Sequence, residues 1–171
     1  MRFYLMALLL LAFLGPSTTQ GNAAGFQNPA PQAEANAQED ETPGPLRTEM
    51  EQGIKHVLVS QVEAWNHGNL EEFMQGYWHS SDLEFYSGGT ITKGWEPTLE
   101  RYRKSYKSEG KEMGKLEFQD LKIDMLSLRS AVVTGKFQLT MSDGKTPHGI
   151  FTLIFKRMPT GWKIVHDHTS V

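Results

Sequence analysis

The chain has 171 residues and a formal net charge of −3, with its Lys and Arg residues scattered rather than clustered. That length allows one domain of ordinary size, and the charge excludes a strongly basic nucleic-acid-binding face as the main surface. Cysteine is absent, so neither disulfide stapling nor a lipid-anchored leader is available and stability must come from core burial.

Arg2 precedes an apolar run from Phe3 to Leu14, followed by Gly15-Pro16 and small or polar residues through Ala23-Ala24. This is the layout of a cleavable secretory signal, and the run is too short for a permanent membrane anchor. The expectation is a signal peptide over 1–24, cleaved near Ala23 or Ala24, and a periplasmic or secreted mature chain without a stable membrane anchor. From Gly25 to Leu46 almost nothing after Phe26 is apolar and larger than Ala, which predicts a flexible linker over 25–46. The domain is expected over 47–171.

Thr48 with Glu51 forms a possible capping box, and Ile54, Leu58, Val62 and Trp65 then recur at helical spacing until Gly68. Asn69 with Glu72 repeats the capping pattern for a short second helix whose Leu70, Phe73, Met74 and Tyr77 share a face. Leu83 to Tyr86 and Ile91 to Lys93 flank Ser87-Gly88-Gly89-Thr90, a tight hairpin that needs positive φ. A third helix opens at Trp95, with Pro97 in its first turn.

The last third alternates as strands. Leu116 and Phe118 are out of phase with Leu121, Ile123 and Met125, which predicts a β-bulge near Gln119-Asp120. Val133 to Met141 and Gly149 to Phe155 are joined through the turn at Asp143-Gly144. Trp162, Ile164, His166 and His168 then alternate with Lys163, Val165, Asp167 and Thr169. The fold class expected is α+β: a curved antiparallel sheet packed against three N-terminal helices, enclosing a pocket.

Several strings resemble the nuclear transport factor 2-like superfamily, in its SnoaL-like branch (domain of unknown function 4440). They include Ala64-Trp65-Asn66, Gly68-Asn69-Leu70, Gly76-Tyr77-Trp78, Gly94-Trp95, Arg101-Tyr102, Val133-Thr134-Gly135 and the closing Gly161 to Ser170. The closing string is also similar to the end of the calcium/calmodulin-dependent kinase association domain. The resemblance covers almost all of 47–171. It implies a cone-shaped, cystatin-like α+β barrel, usually a homodimer through the open sheet face, with a ligand cavity between sheet and helices. It does not imply one reaction, since the superfamily spans isomerases, cyclases, dehydratases, transport factors and oligomerisation domains.

Candidate chemistry centres on the closing strand. His166 and His168 lie two apart and so share a face, which period-two alternation assigns to the same side as Trp162 and Ile164. Two imidazoles there suit acid/base work, hydrogen bonding in a pocket wall, or a zinc site completed by His148, His79, Asp124 or Glu84, none at a spacing that demands it. Glu84 and Tyr86 share a face of the first strand, and a carboxylate base beside a phenol donor is what an isomerase needs. Arg101 on the third helix is placed to hold an anion at a cavity rim or to pair with Glu96 or Glu100. Trp65 is expected to close the pocket.

The expected ligand-binding set is Trp65, Tyr86, Arg101, His166 and His168, and the expected acid/base candidates are His166, His168, Tyr86 and Glu84. No phosphate loop, nucleophile elbow or paired-cysteine pattern is present, so no cofactor or metal is expected. The functional expectation is an exported, homodimeric domain that binds a small, mostly apolar molecule. The rivals are an isomerase, cyclase or dehydratase and an oligomerisation module.

Overall fold

A computed structural model describes residues 44–171 apart from Gly110. The expected signal peptide, and the linker as far as residue 43, lie outside the described residues. The first helix, α1 (Gly44–Asn66), buries Met50, Ile54, Leu58, Ala64 and Trp65. It begins a turn before the Thr48–Glu51 box. Thr48 Oγ1 donates back to Gly44 O at 2.9 Å, and Glu51 pairs with Arg47 at 3.1 Å. Pro45 sits in the first turn, where its missing N–H costs nothing.

Gly68 turns the chain with φ 72°, and Asn69 caps α2 (Leu70–Phe73) as its sequence predicts. Its Oδ1 accepts from Glu72 N at 3.1 Å, and its Nδ2 donates to Glu72 Oε2 at 3.0 Å. A 3₁₀ turn over Met74–Gly76 follows, then β1 (Glu84–Ser87) and β2 (Thr90–Lys93), with Gly88 and Gly89 at φ 57° and 72° in the hairpin turn. Helix α3 (Trp95–Tyr106) is tied to the 3₁₀ turn by Trp95 Nε1 donating to Met74 O at 2.8 Å.

Four long strands complete the domain: β3 (Lys115–Ser127), β4 (Ser130–Thr140), β5 (His148–Met158) and β6 (Gly161–Ser170). The six strands form one curved, unclosed sheet in the order β2-β1-β6-β5-β4-β3. Every pairing is antiparallel except β1 with β6, which is parallel. Helix α1 and its neighbours cover one face, burying Leu116, Val133, Leu153, Phe155 and Ile164 against Ile54, Leu58, Leu70 and Met74.

The β3 bulge lies where the sequence phase change predicts it. Gln119 pairs with Lys136 and Lys122 with Thr134, so Asp120 and Leu121 together oppose Gly135. Asp120 takes φ 53°. A Cβ on Gly135 would stand 2.7 Å from Phe151 Cζ and 2.9 Å from Leu121 Cδ2, so the bulge closes over a position that must lack a side chain.

Candidate functional site

The site is created by a second bulge, on β6, that the alternation of the sequence does not mark. Phe155 pairs with Ile164 but Ile154 pairs with His166, leaving Val165 as an extra residue. One inserted residue moves every following side chain to the other face. Trp162 and Ile164 therefore face the helices, and beyond Val165 the inward positions belong to Asp167, which is 3% exposed, and Thr169.

This corrects the expectation for His166 and His168. Both imidazoles lie on the opposite face of the sheet, with Glu84 and Tyr86 beside them across the parallel β1–β6 pairing, where Glu84 aligns with His166 and Tyr86 with His168. The four acid/base candidates are thus neighbours, but not in the helix-covered pocket. Tyr86 Oη donates to Glu84 Oε2 at 3.2 Å, His166 Nδ1 lies 3.5 Å from the same oxygen, and Lys93 Nζ holds Glu84 Oε1 at 3.0 Å. Lys93 foremost, with help from Tyr86 and His166, keeps the Glu84 carboxyl below the usual range. The Tyr86 ring lies 4.9 Å from that of His166 and 6.0 Å from that of His168. The zinc alternative finds no support in the arrangement. His79 bonds Glu96, His148 bonds Thr146 O, and among the described residues no three metal-ligating side chains converge.

Between the sheet and the helices lies a cavity of about 160 Å³. Of the expected ligand-binding set Trp65 and Arg101 line it, and so does Asp167, which sequence reasoning missed. Its walls are mostly aromatic. Tyr102 is at their centre, with the rings of Phe73, Phe85, Trp65 and Tyr106 at 5.4, 5.5, 6.0 and 6.0 Å. Trp65 is fixed by its indole N–H, shared between the carbonyls of Met113 and Gly114 at 3.2 Å each.

The polar core of the cavity is a chain of hydroxyls ending on the carboxyl. Tyr77 Oη donates to Asp167 Oδ2 at 2.7 Å, and Thr169 Oγ1 donates to Oδ1 at 2.7 Å. Since the Tyr77 proton goes to Asp167, Tyr102 Oη, 3.5 Å away, is left as the donor to Tyr77. Burial pushes the Asp167 carboxyl up to about 6, although both hydroxyl donors act the other way. Burial, and then the charge of Asp167, pushes the Tyr77 and Tyr102 phenols upward. The arrangement supplies one carboxyl that changes protonation near neutrality, set in an apolar wall, with phenols that stay protonated.

Arg101 does not pair with Glu96 or Glu100, which are engaged by His79 and Arg103. It reaches from α3 to the β1–β2 hairpin, donating to Ser87 O at 2.7 Å and Thr92 Oγ1 at 2.9 Å, and its guanidinium lies 5.0 Å from the centre of the Phe85 ring.

A curved sheet with helices over one face and a buried carboxyl in an aromatic cavity defines a pocket domain of the nuclear transport factor 2-like fold. The chain belongs to the SnoaL-like domain family, whose model matches residues 54–171. It is similar to a solved NTF-2 like protein of unknown function from Shewanella oneidensis, at 38% identity over 71% of this chain and 98% of that one, TM-score 0.66. A nuclear transport factor 2-like superfamily protein from Salmonella enterica is 21% identical over 72% of this chain and 92% of that one, TM-score 0.61. A protein from Catenulispora acidiphila solved in complex with S-DNPA is 15% identical over 72% of this chain and 93% of that one, TM-score 0.60. None of the curated proteins matches the chain.

Proposed function

We propose that this domain binds a small, mostly apolar molecule in the aromatic cavity and fixes it through Asp167. The observation that carries the reading is a carboxyl only 3% exposed in the wall of that cavity. Burying a carboxyl costs free energy that an apolar residue of similar size would not, so its presence in a cavity wall fits a role toward a ligand. Near neutral pH it meets a ligand hydroxyl as an acceptor, and in its protonated form it donates to a carbonyl. The Catenulispora protein of the same fold, solved with S-DNPA, supports a ligand-binding reading.

Mass spectrometry of the gently purified protein tests this. The expected result is a copurifying small molecule, lost on denaturation, that raises the melting temperature when added back. A bare protein whose melting temperature no ring compound raises would refute it. The near-neutral carboxyl favours a second reading, in which Asp167 exchanges a proton with the bound molecule as in an isomerase, cyclase or dehydratase. Conversion of the copurified molecule by wild type, and not by Asp167→Asn, is the result that reading requires.

The proposal includes export, on the composition of residues 1–24 alone, and pairing of two copies through the outer sheet face. That face exposes Ile91 at 55% and Ile150 at 60%, more apolar surface than a solvated strand needs. One row across it runs Lys93, Glu84, His166, Ile154, Val132, Asp124. A two-fold axis along the strands sets Ile154 and Val132 of one copy against His166 and Glu84 of the other, with Lys93 and Asp124, each paired within its own chain, at the two rims. Light scattering at micromolar concentration should give a dimer mass, and Ile150→Lys a monomer. A monomeric wild type would contradict the pairing.

A further inference from the structure

The cavity has a second polar pole, and it carries a positive charge. Arg101 lines the same cavity as Asp167 but is anchored elsewhere: it is held on the β1–β2 hairpin by Ser87 O and Thr92 Oγ1, whereas Asp167 is held by Tyr77 and Thr169. The hydrogen-bond acceptors of Arg101 are all neutral: Ser87 O at 2.7 Å, Thr92 Oγ1 at 2.9 Å and Thr90 O at 3.4 Å. The carboxylates within reach along α3 are taken by other cations. Among the described residues Arg101 therefore has no anionic partner, and its Nε–H has no acceptor. A half-buried guanidinium held by neutral groups is a charge in want of a counter-ion, and a planar fork is matched best by a carboxylate.

Size limits the rest of the ligand. At about 160 Å³ the cavity is close in size to the roughly 150 Å³ apolar cavity that takes up benzene in a protein interior. Phe85, under the guanidinium, and Tyr102, between the two poles, offer ring faces along the way.

We propose that the ligand is a small ring-bearing carboxylic acid, its carboxylate on Arg101, its ring against Phe85 and Tyr102, and its uncharged end toward Asp167. This rests on the pocket reading above and adds the charge and size of the ligand. The orientation follows from the two poles, because the ionised Asp167 repels an acid group presented to it.

Calorimetric titration of the full domain at about pH 7.5 with 3-phenylpropionate and its neutral amide tests the proposal. Wild type should bind the acid about tenfold or more tightly than the amide. Arg101→Gln should bind both alike, with amide affinity unchanged, and Arg101→Lys should keep part of the preference because it keeps the charge without the fork. Equal binding of acid and amide by wild type, or a preference that survives in Arg101→Gln, overturns the proposal and leaves the pocket reading standing. Binding of neither compound overturns the proposal, while the pocket reading stands or falls on its own test with the copurified molecule. Because Arg101 also ties α3 to the hairpin, a variant that fails to fold is replaced by the salt dependence of wild type. Added potassium chloride should weaken the acid severalfold and leave the amide unaffected, and an acid affinity that ignores salt overturns the proposal.

Discussion

Between about pH 3 and pH 7 the wild-type domain should lose roughly 3 kcal/mol of stability relative to an Asp167→Asn variant. The carboxyl titrates near 3.8 when exposed and about 6 in the folded domain, because burial disfavours its charge. Below the unfolded value both states hold the proton and Asp167 imposes no penalty. As pH rises toward 6 the unfolded chain releases its proton while the folded chain keeps it, so unfolding is favoured progressively, and above 6 the penalty is constant. The asparagine variant has no such step. Carboxylates held below their usual range, such as Glu84 and Glu71, push total stability the other way in acid, but they are common to both proteins and cancel in the difference. Urea unfolding of both proteins across this range gives that difference directly. A difference independent of pH would mean that the carboxyl is not desolvated and that the cavity wall is wet.

Trp162→Ala should destabilise the domain by about 3–5 kcal/mol, the usual cost of removing a buried indole. Trp162 is 6% exposed and packs against Gly53 in the middle of α1, where an added Cβ would stand 2.9 Å from its Cδ1. Gly53 costs helix propensity, on the order of 1 kcal/mol relative to alanine, and the close fit of the indole offsets it. Trp162 does not line the cavity, so any of the variant that remains folded should keep its ligand affinity. Tyr86→Phe, on the outer face, removes one hydrogen bond to Glu84 and should cost less than about 1 kcal/mol. A Trp162→Ala urea midpoint equal to that of wild type would show that the last strand is not anchored through this contact.

Much of the frame was legible because local chemistry declares it. Asn69 with Glu72 announces a helix start, Gly88-Gly89 a turn needing positive φ, and the out-of-phase apolar residues on either side of Asp120 a bulge. α1 starts a turn before the place that Thr48 and Glu51 point to, because these two look like a capping box while bonding within the helix instead. The parallel β1–β6 pairing joins segments about eighty residues apart and leaves no local mark in the sequence.

The site was legible only in part, for one physical reason. On β3 apolar side chains resume on the far side of the bulge and reveal the new phase. On β6 the residues after Val165 are His166, Asp167, His168 and Thr169, polar on both faces, so no apolar side chain resumes to reveal the new phase. Reading straight through sends the histidines inward and Asp167 outward, the reverse of the structure. The one available clue was the adjacent pair Ile164-Val165, two β-branched apolar residues where strict alternation calls for one. Trp65 and Arg101 line the cavity from helices, whose spacing is read without reference to the sheet.

In the proposed function a ligand enters the cavity beside Asp167 and not the histidine-bearing outer face. Intermolecular nuclear Overhauser effects between bound 3-phenylpropionate, or the copurified molecule, and the isotopically labelled protein locate the ligand without any substitution. Contacts are expected from the ligand ring to Trp65, Phe85 and Tyr102, whereas contacts to the rings of Tyr86, His166 and His168 in their place would contradict binding in the cavity.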